Sequence, residues 1–352
     1  MSVGPPRYDL EQSYDWNYEH APAGAEAADV PSYPGTWDFC GLPVDSPLGI
    51  PAGPLLNSRW ILYYAGLGFS VLTYKTVRPA FRASYERPNL IPVAAHALTG
   101  HADSVNVAPG AQEVESWAIS FGMPSKDPAT WQEDVTRARK GLRHDQVLSV
   151  SVVASPGGDW TLDRIAADFA QCARWAVDAG AQTVEANFSC PNVCTQEGQI
   201  YTSREASGCV AARIRSAIGQ VPLILKIGLF DNREGARAFV EAVKDYATAL
   251  STVNCISAAV SDGGGRMLFG GLTRGIGGRA IRERANVETE MLHGVIAEAG
   301  CALRVIGVGG VSGAGDVQER LRAGAHHVQV ATAAMRDPLI GVRIRREVAG
   351  RM

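Results

Sequence analysis

The chain alternates short runs of apolar and β-branched residues with longer stretches whose apolar positions recur every three or four residues. Eight runs read as strands: "PLGIPAG", "SVLTYKT", "QVLSVSVV", "QTVEANFS", "PLILKIG", "NCISAAV", "RVIGVGG" and "HHVQVAT". The stretches between them, such as Leu162 to Asp178, Glu234 to Leu250 and Ala314 to Ala323, have the spacing of amphipathic helices. Eight strand–helix units predict an α/β fold, a (β/α)8 TIM barrel, with a doubly wound open sheet as the alternative. The longest interruption runs from Val77 to Asp145, between strands two and three. An insertion there predicts a wall over the active site, because barrel sites lie where strands end and loops begin. Residues 1–36 show no clear period and read as an N-terminal arm, with the barrel spanning 37–352. The arm either packs on the barrel through Tyr14, Trp16 and Tyr18 or stays disordered.

With 352 residues, 46% of them hydrophobic, the chain can bury one large core. A net charge of −3 gives no basic field, so nucleic acid is not an expected partner. Seven cysteines, scattered and odd in number, suit reduced thiols in a cytoplasm. No run approaches the roughly 20 apolar residues of a spanning helix, and the N-terminus is neither basic nor apolar; a cytoplasmic protein without a membrane partner is expected. His326 and His327 open a strand with no ligand at metal spacing, so no metal is expected.

In a barrel, the residues to read are those at the C-terminal strand ends. The run "VEANFSCPNV" puts Asn187, Cys190 and Asn192 there, on strand four and the loop above it. Strand two ends in Lys75 and Thr76, strand five in Lys226, and strand six, as read here, in Ser257. A buried lysine is costly without an anion or strong acceptor, and two facing one mouth suggest an anionic or electron-accepting ligand. A pairing with Glu185 would account for one of them. Strands seven and eight end in "GVGG" and in Ala331 and Thr332, where bare backbone N–H groups and a helix start can hold a phosphate. Of the other cysteines, Cys40, Cys172, Cys255 and Cys301 read as core.

The motifs "TYKT", "NFSCPN", "LILKIG", "RGIGGRAI", "VIGVGGV" and "VQVATA", in this order over about Pro47 to Pro338, resemble the dihydroorotate dehydrogenase family. These are flavin barrels of pyrimidine metabolism, also similar to the catalytic domain of dihydropyrimidine dehydrogenase. The resemblance implies FMN at the barrel mouth, its phosphate at Gly309, Gly310, Ala331 and Thr332, and its ring edge against Ala52, Gly53, Thr76, Asn187, Lys226 and Gly278. Ser257 would also approach the cofactor. Lys75 would lie beside both flavin and substrate, and Asn187, Asn192 and Ser257 would bind the substrate. Cys190 would be the general base, on a loop from about Pro191 to Ser207 hinged at Gly198 and Gly208. The implied partners are a small-molecule substrate, an electron acceptor and, as assembly, a homodimer.

Two positions depart from the family pattern. Ile119 in "ISFGMPS" replaces a ring-binding asparagine, and "CISAAV" offers Ser257 and Ala258 where an Asn-Ser or Asn-Thr pair is expected. These losses predict that dihydroorotate is a poor substrate. Three readings follow: an FMN oxidoreductase acting on a carbon–carbon bond next to a carbonyl, a flavin-free isomerase or aldolase using Lys226, and an FMN-binding protein without turnover.

Overall fold

The computed structural model describes residues 5–24, 29–101, 103–110, 114–189 and 199–350. Its centre is a closed parallel barrel of β1 (Leu48–Ile50), β2 (Val71–Val77), β3 (Val147–Val152), β4 (Thr183–Asn187), β5 (Leu223–Lys226), β6 (Ala249–Thr252), β7 (Arg304–Val308) and β8 (His327–Gln329). Each strand pairs with the next and β8 returns to β1, so the (β/α)8 barrel expected from the alternating pattern is the fold observed. Helices cover the outside, and Leu162–Asp178 spans the stretch that the three-four spacing marks. Its buried face, from Ile165 through Phe169 and Cys172 to Ala176, packs on the barrel.

One strand assignment is corrected. The run "NCISAAV" is not in the barrel; the sixth barrel strand is Ala249–Thr252, which begins inside the stretch read as helix from Glu234 to Leu250. The helix there is Arg233–Val243. Ala247, Ala249 and Leu250 continue its apolar spacing, and no glycine or proline separates helix from strand, so the pattern carried no boundary.

Ile256–Ser261 belongs instead to a second closed sheet of five strands, with Leu90–Ala94, Asp103–Val107, Ser116–Ile119 and Arg274–Gly278. This cap has its own core, including Val93, Val105, Ala118, Ala258, Val260 and Ile276. The expected insertion after β2 supplies three of its strands, and a second insertion after β6 supplies the other two.

The opposite end of the barrel is plugged by the hairpin Trp37–Phe39 and Leu42–Val44, which buries Phe39 and Val44 against Val71, Val147, Ile224 and Ile306. His327 lies in this plug, 5.0 Å from the Phe39 ring, and burial pushes its imidazole down to about 3. In the N-terminal segment, the helix Tyr14–Glu19 docks beside the cap: Trp60 Nε1 donates to Asn17 O at 3.0 Å and Asn57 Nδ2 to Tyr18 O at 2.7 Å. Tyr14 is buried with its ring edge-on to Phe121 at 5.9 Å, while Trp16 stacks on His20. Among the described residues, no helix is long and apolar enough to cross a membrane.

Candidate active site

Between the C-terminal strand ends and the cap lies a cleft with two connected parts. The larger chamber, about 110 Å³, is lined by Ala52, Gly53, Lys75, Thr76, Asn187 and Lys226 from the barrel and by Trp117, Phe121 and Met123 from the cap side. The smaller recess, about 50 Å³, is lined by Gly278, Gly309, Gly310 and Ser312. Ile119, Asn254, Cys255, Val308, Ala331 and Thr332 line both, so the two parts share one wall.

Strand geometry explains how the polar groups converge. Alternation would turn Lys75 and Thr76 to opposite faces, yet both line the chamber; the pairing of β2 with β3 shifts register between Tyr74 and Val77, as at a β-bulge. The shift brings Thr76 Oγ1 within 3.0 Å of Ser151 Oγ and 3.5 Å of Asn187 Nδ2. The Lys75 ammonium lies 5.9 Å from the centre of the Phe121 ring, a cation–π distance. Asn187 Oδ1 accepts from Ser189 N at 3.3 Å and from Asn254 Nδ2 at 3.4 Å, and Asn254 also donates to Ser189 O. The amides of Asn187 and Asn254 therefore hold each other across the ends of β4 and β6.

Lys226 is only 3% exposed, lines the chamber, and its side chain has no hydrogen-bond or ion-pair partner among the described residues. The pairing with Glu185 does not form, and one oxygen of that buried carboxyl has no partner at all. An unpaired buried ammonium is a standing cost that a bound anion would remove.

The recess is a backbone cradle. Gly309 and Gly310 follow β7 with φ of +108° and +72°, a region open to glycine and strained for other residues. A Cβ on Gly310 would lie 2.5 Å from Arg282 Cα, and one on Gly278 would lie 2.0 Å from Glu115 O. Arg279 and Arg336 reach the same recess, as does Glu115, whose carboxylate lies 3.5 Å from Arg336, while Arg279 lies 3.8 Å from Asp316. Glycine backbone with cations nearby, at the ends of the last two strands, suits a phosphate.

Comparisons with known proteins agree. The family model described as dihydroorotate dehydrogenase matches residues 36–352. A dihydroorotate dehydrogenase of Dictyostelium discoideum is 31% identical over 97% of each chain. The chain belongs to the dihydroorotate dehydrogenase family. A dihydroorotate dehydrogenase (quinone) of Burkholderia multivorans is 26% identical over 88% of this chain and 83% of its own. The fold is shared with the crystal structure of the Eimeria tenella dihydroorotate dehydrogenase in complex with ferulenol, at a TM-score of 0.70 and 16% identity over 90% of this chain and 83% of that one. Members of the dihydroorotate dehydrogenase family are FMN-dependent oxidoreductases acting on a CH–CH bond.

Of the residues expected for such a site, Ala52, Gly53, Lys75, Thr76, Asn187 and Lys226 are brought together in the chamber, and Ala331 and Thr332 stand where it meets the recess. Gly278 lies with Gly309 and Gly310 in the recess. Ser257 is misplaced: it is exposed on the cap strand Ile256–Ser261 and lines neither part of the cleft, because the strand that carries it is not β6. Cys190, Asn192 and Gly198 lie outside the described residues. Gly208 is no hinge, being inside the helix Arg204–Ile218. Cys255, read as core, lines the cleft instead. The residue missed was Asn254, whose signal was an asparagine just past a short buried strand, legible only once β6 is ended at Thr252.

Proposed function

We propose that this chain binds FMN and oxidises dihydroorotate, or a close cyclic amide, to the unsaturated product. The observation that carries the proposal is Lys226, a buried and unpaired cation facing a chamber that leads into a glycine cradle. The residues fit the cofactor: the cradle of Gly278, Gly309 and Gly310 would take the phosphate, and Ala52, Gly53, Thr76, Asn187 and Lys226 would face the ring. When bound, FMN accepts the hydride that leaves the substrate carbon. Lys226 stabilises the negative charge that arrives with those electrons. Lys75 offers a cation to the substrate carboxylate, and the amides of Asn187, Asn254 and Asn192 present hydrogen bonds to its ring.

The second bond to break is a C–H on the carbon next to the carbonyl, and its proton needs a base. Cys190 follows "NFS" directly after β4, and a free thiol with a pKa of about 8.5, lowered beside positive charge, serves near neutral pH. Its thiolate takes the proton. The electron acceptor is a separate small molecule, the protein is cytoplasmic, and residues 1–36 act as an arm bracing the wall of the site at Phe121.

The expectation that dihydroorotate is a poor substrate loses one of its two supports. Ser257 and Ala258 are not at the end of β6, and Asn254 supplies an amide at that strand end. Ile119 remains as a lost partner; one unpaired amide edge costs about 1–3 kcal/mol, which lowers turnover without abolishing it. The test is the absorption spectrum of purified protein after incubation with FMN, then anaerobic addition of dihydroorotate and reoxidation by fumarate, a quinone or a dye. A yellow protein bleached by dihydroorotate is expected. A protein that stays colourless overturns the proposal in favour of a flavin-free barrel enzyme, and a yellow protein that dihydroorotate does not bleach overturns the assigned substrate.

A further inference from the structure

Below the cleft, the barrel interior is polar where most barrels of this kind pack branched apolar side chains. Ser149 of β3, Thr183 and Glu185 of β4, Ser251 of β6 and Gln329 of β8 are all at most 2% exposed. One side-chain oxygen of each has no hydrogen-bond partner. Strand alternation puts them on the inner side: Thr183 and Glu185 lie four and two residues before Asn187, Ser251 is in register with Lys226, and Ser149 is in register with Thr183. Gln329 reaches across to donate to Thr73 Oγ1 at 3.3 Å, which leaves its own carbonyl oxygen open.

Five orphaned oxygens inside one barrel are hard to sustain dry. Each unmet group costs on the order of 1–3 kcal/mol, whereas polar interior voids hold ordered water that makes about three hydrogen bonds. Glu185 is the one acidic residue in the eight barrel strands, and Lys75 and Lys226 are the cations above it. Asn187 is in register with Lys226, so Glu185 sits roughly 6.6 Å lower along the strand axis, too far for direct pairing and within reach through one water.

We infer that the barrel beneath the cleft holds a cluster of ordered water, and that Glu185 acts through it as the counter-charge of Lys226, setting how strongly the bound flavin takes up electrons. The second half rests on the FMN reading above. Glu185 is a positioning residue: it touches neither substrate nor cofactor. Its negative charge holds the Lys226 ammonium toward the barrel and opposes the charge that reduction brings to the site, an interaction that the low-dielectric interior does not screen away.

The experiment compares flavin-loaded wild type, E185Q and E185D by dye-equilibrated redox titration, alongside a high-resolution crystal structure of the flavin-free wild type. E185Q keeps the hydrogen-bonding shape and loses the charge, so its reduction equilibrium should rise by about tenfold, about 30 mV for two electrons, with FMN affinity unchanged. E185D keeps the charge and should keep the wild-type potential, which a packing role would not produce. A potential unchanged in E185Q overturns the counter-charge. If E185Q does not fold, the crystal structure decides: water bridging Glu185 and Lys226 supports the inference, and a dry interior overturns it. A wild type that binds no FMN defeats the function reading instead, and the water cluster is still judged by the crystal structure.

Discussion

Replacing Lys226 should make the flavin-free protein more stable and the enzyme far worse. Ordinarily, removing a buried charged residue strips a partner and destabilises by about 3–5 kcal/mol. Lys226 differs because its side chain has no direct partner among the described residues while being 3% exposed, and its counter-charge Glu185 reaches it only through water. Lys226→Met keeps most of the side-chain volume and removes an ammonium held out of bulk water. The chamber of about 110 Å³ beside it admits some hydration, so the relief is well below the full transfer cost of an ion, and a gain of about 1–3 kcal/mol is expected. The same substitution removes the one cation that β5 contributes to the chamber, where the flavin ring is proposed to bind. Loss of one such stabilising group typically costs ~10²–10³ in turnover, so substrate oxidation should fall by that factor while the fold survives.

Two measurements on one preparation decide it. Equilibrium urea unfolding of the flavin-free proteins should show a higher midpoint with an unchanged slope, and turnover with dihydroorotate or its best analogue should collapse. A Lys226→Met protein less stable than wild type by more than about 1 kcal/mol would refute the reasoning, since it would show that attraction to Glu185 through water outweighs the cost of burying the ammonium. A more stable variant with full turnover would separate the two halves and leave Lys226 as an unpaired charge without a role.

Three further outcomes are expected. Cys190→Ala should leave FMN bound and slow substrate oxidation by on the order of 10²-fold, as stopped-flow absorbance would show; an unchanged rate places the base elsewhere. Gly310→Ala forces a side chain at φ +72° to within 2.5 Å of Arg282 Cα, so it should destabilise by about 2 kcal/mol or more and weaken FMN binding at least tenfold in a fluorescence titration. Burial pushes the Glu288 carboxyl from 4.5 up to about 7 against the pull of the Phe230 N–H and Arg284; the folded protein then binds more protons than the unfolded chain across that interval, so stability should fall by up to about 3 kcal/mol as pH rises from 4.5 to 7, and Glu288→Gln should flatten that slope in urea titrations.

How much of this was legible in the sequence depended on which force shaped each segment. The helix Leu162–Asp178 was readable because one face is buried along its whole length, and amphipathic spacing records that. The buried strand β4 was readable because its apolar run ends in polar groups at the mouth. Strand β6 was hidden because "ALST" is four residues long and follows a helix with no glycine or proline between them. Ile256–Ser261 was mistaken for it because a strand of the cap alternates and branches like any other, and nothing local says which sheet a strand joins. That single slip displaced Ser257 into the site and concealed Asn254. Lys75 and Thr76 were read together as the end of strand two, and the likeness of "TYKT" to a known motif implied a place in the site for both; strand periodicity alone would have turned them to opposite faces, since the register shift that turns both inward depends on how β2 meets β3.

The same division bears on substrate choice. The barrel contributes Lys75, Asn187 and Lys226 from strands fixed by hydrogen bonds on both sides, so these groups cannot move without the core moving. The cap contributes Ile119 from a strand paired with Leu90–Ala94 and with Arg274–Gly278, a separate small sheet with its own core. Ile119 also fills the space over Gly277, where a Cβ would come within 3.2 Å of its Cδ1 and 3.3 Å of Thr332 Oγ1. An asparagine here would carry less apolar bulk and a pair of hydrogen-bonding groups into the wall shared by the chamber and the recess. A change in the cap can therefore alter this wall while Lys75 and Lys226 stay in place on the barrel, and Ile119 is a cap residue that lines both parts of the cleft.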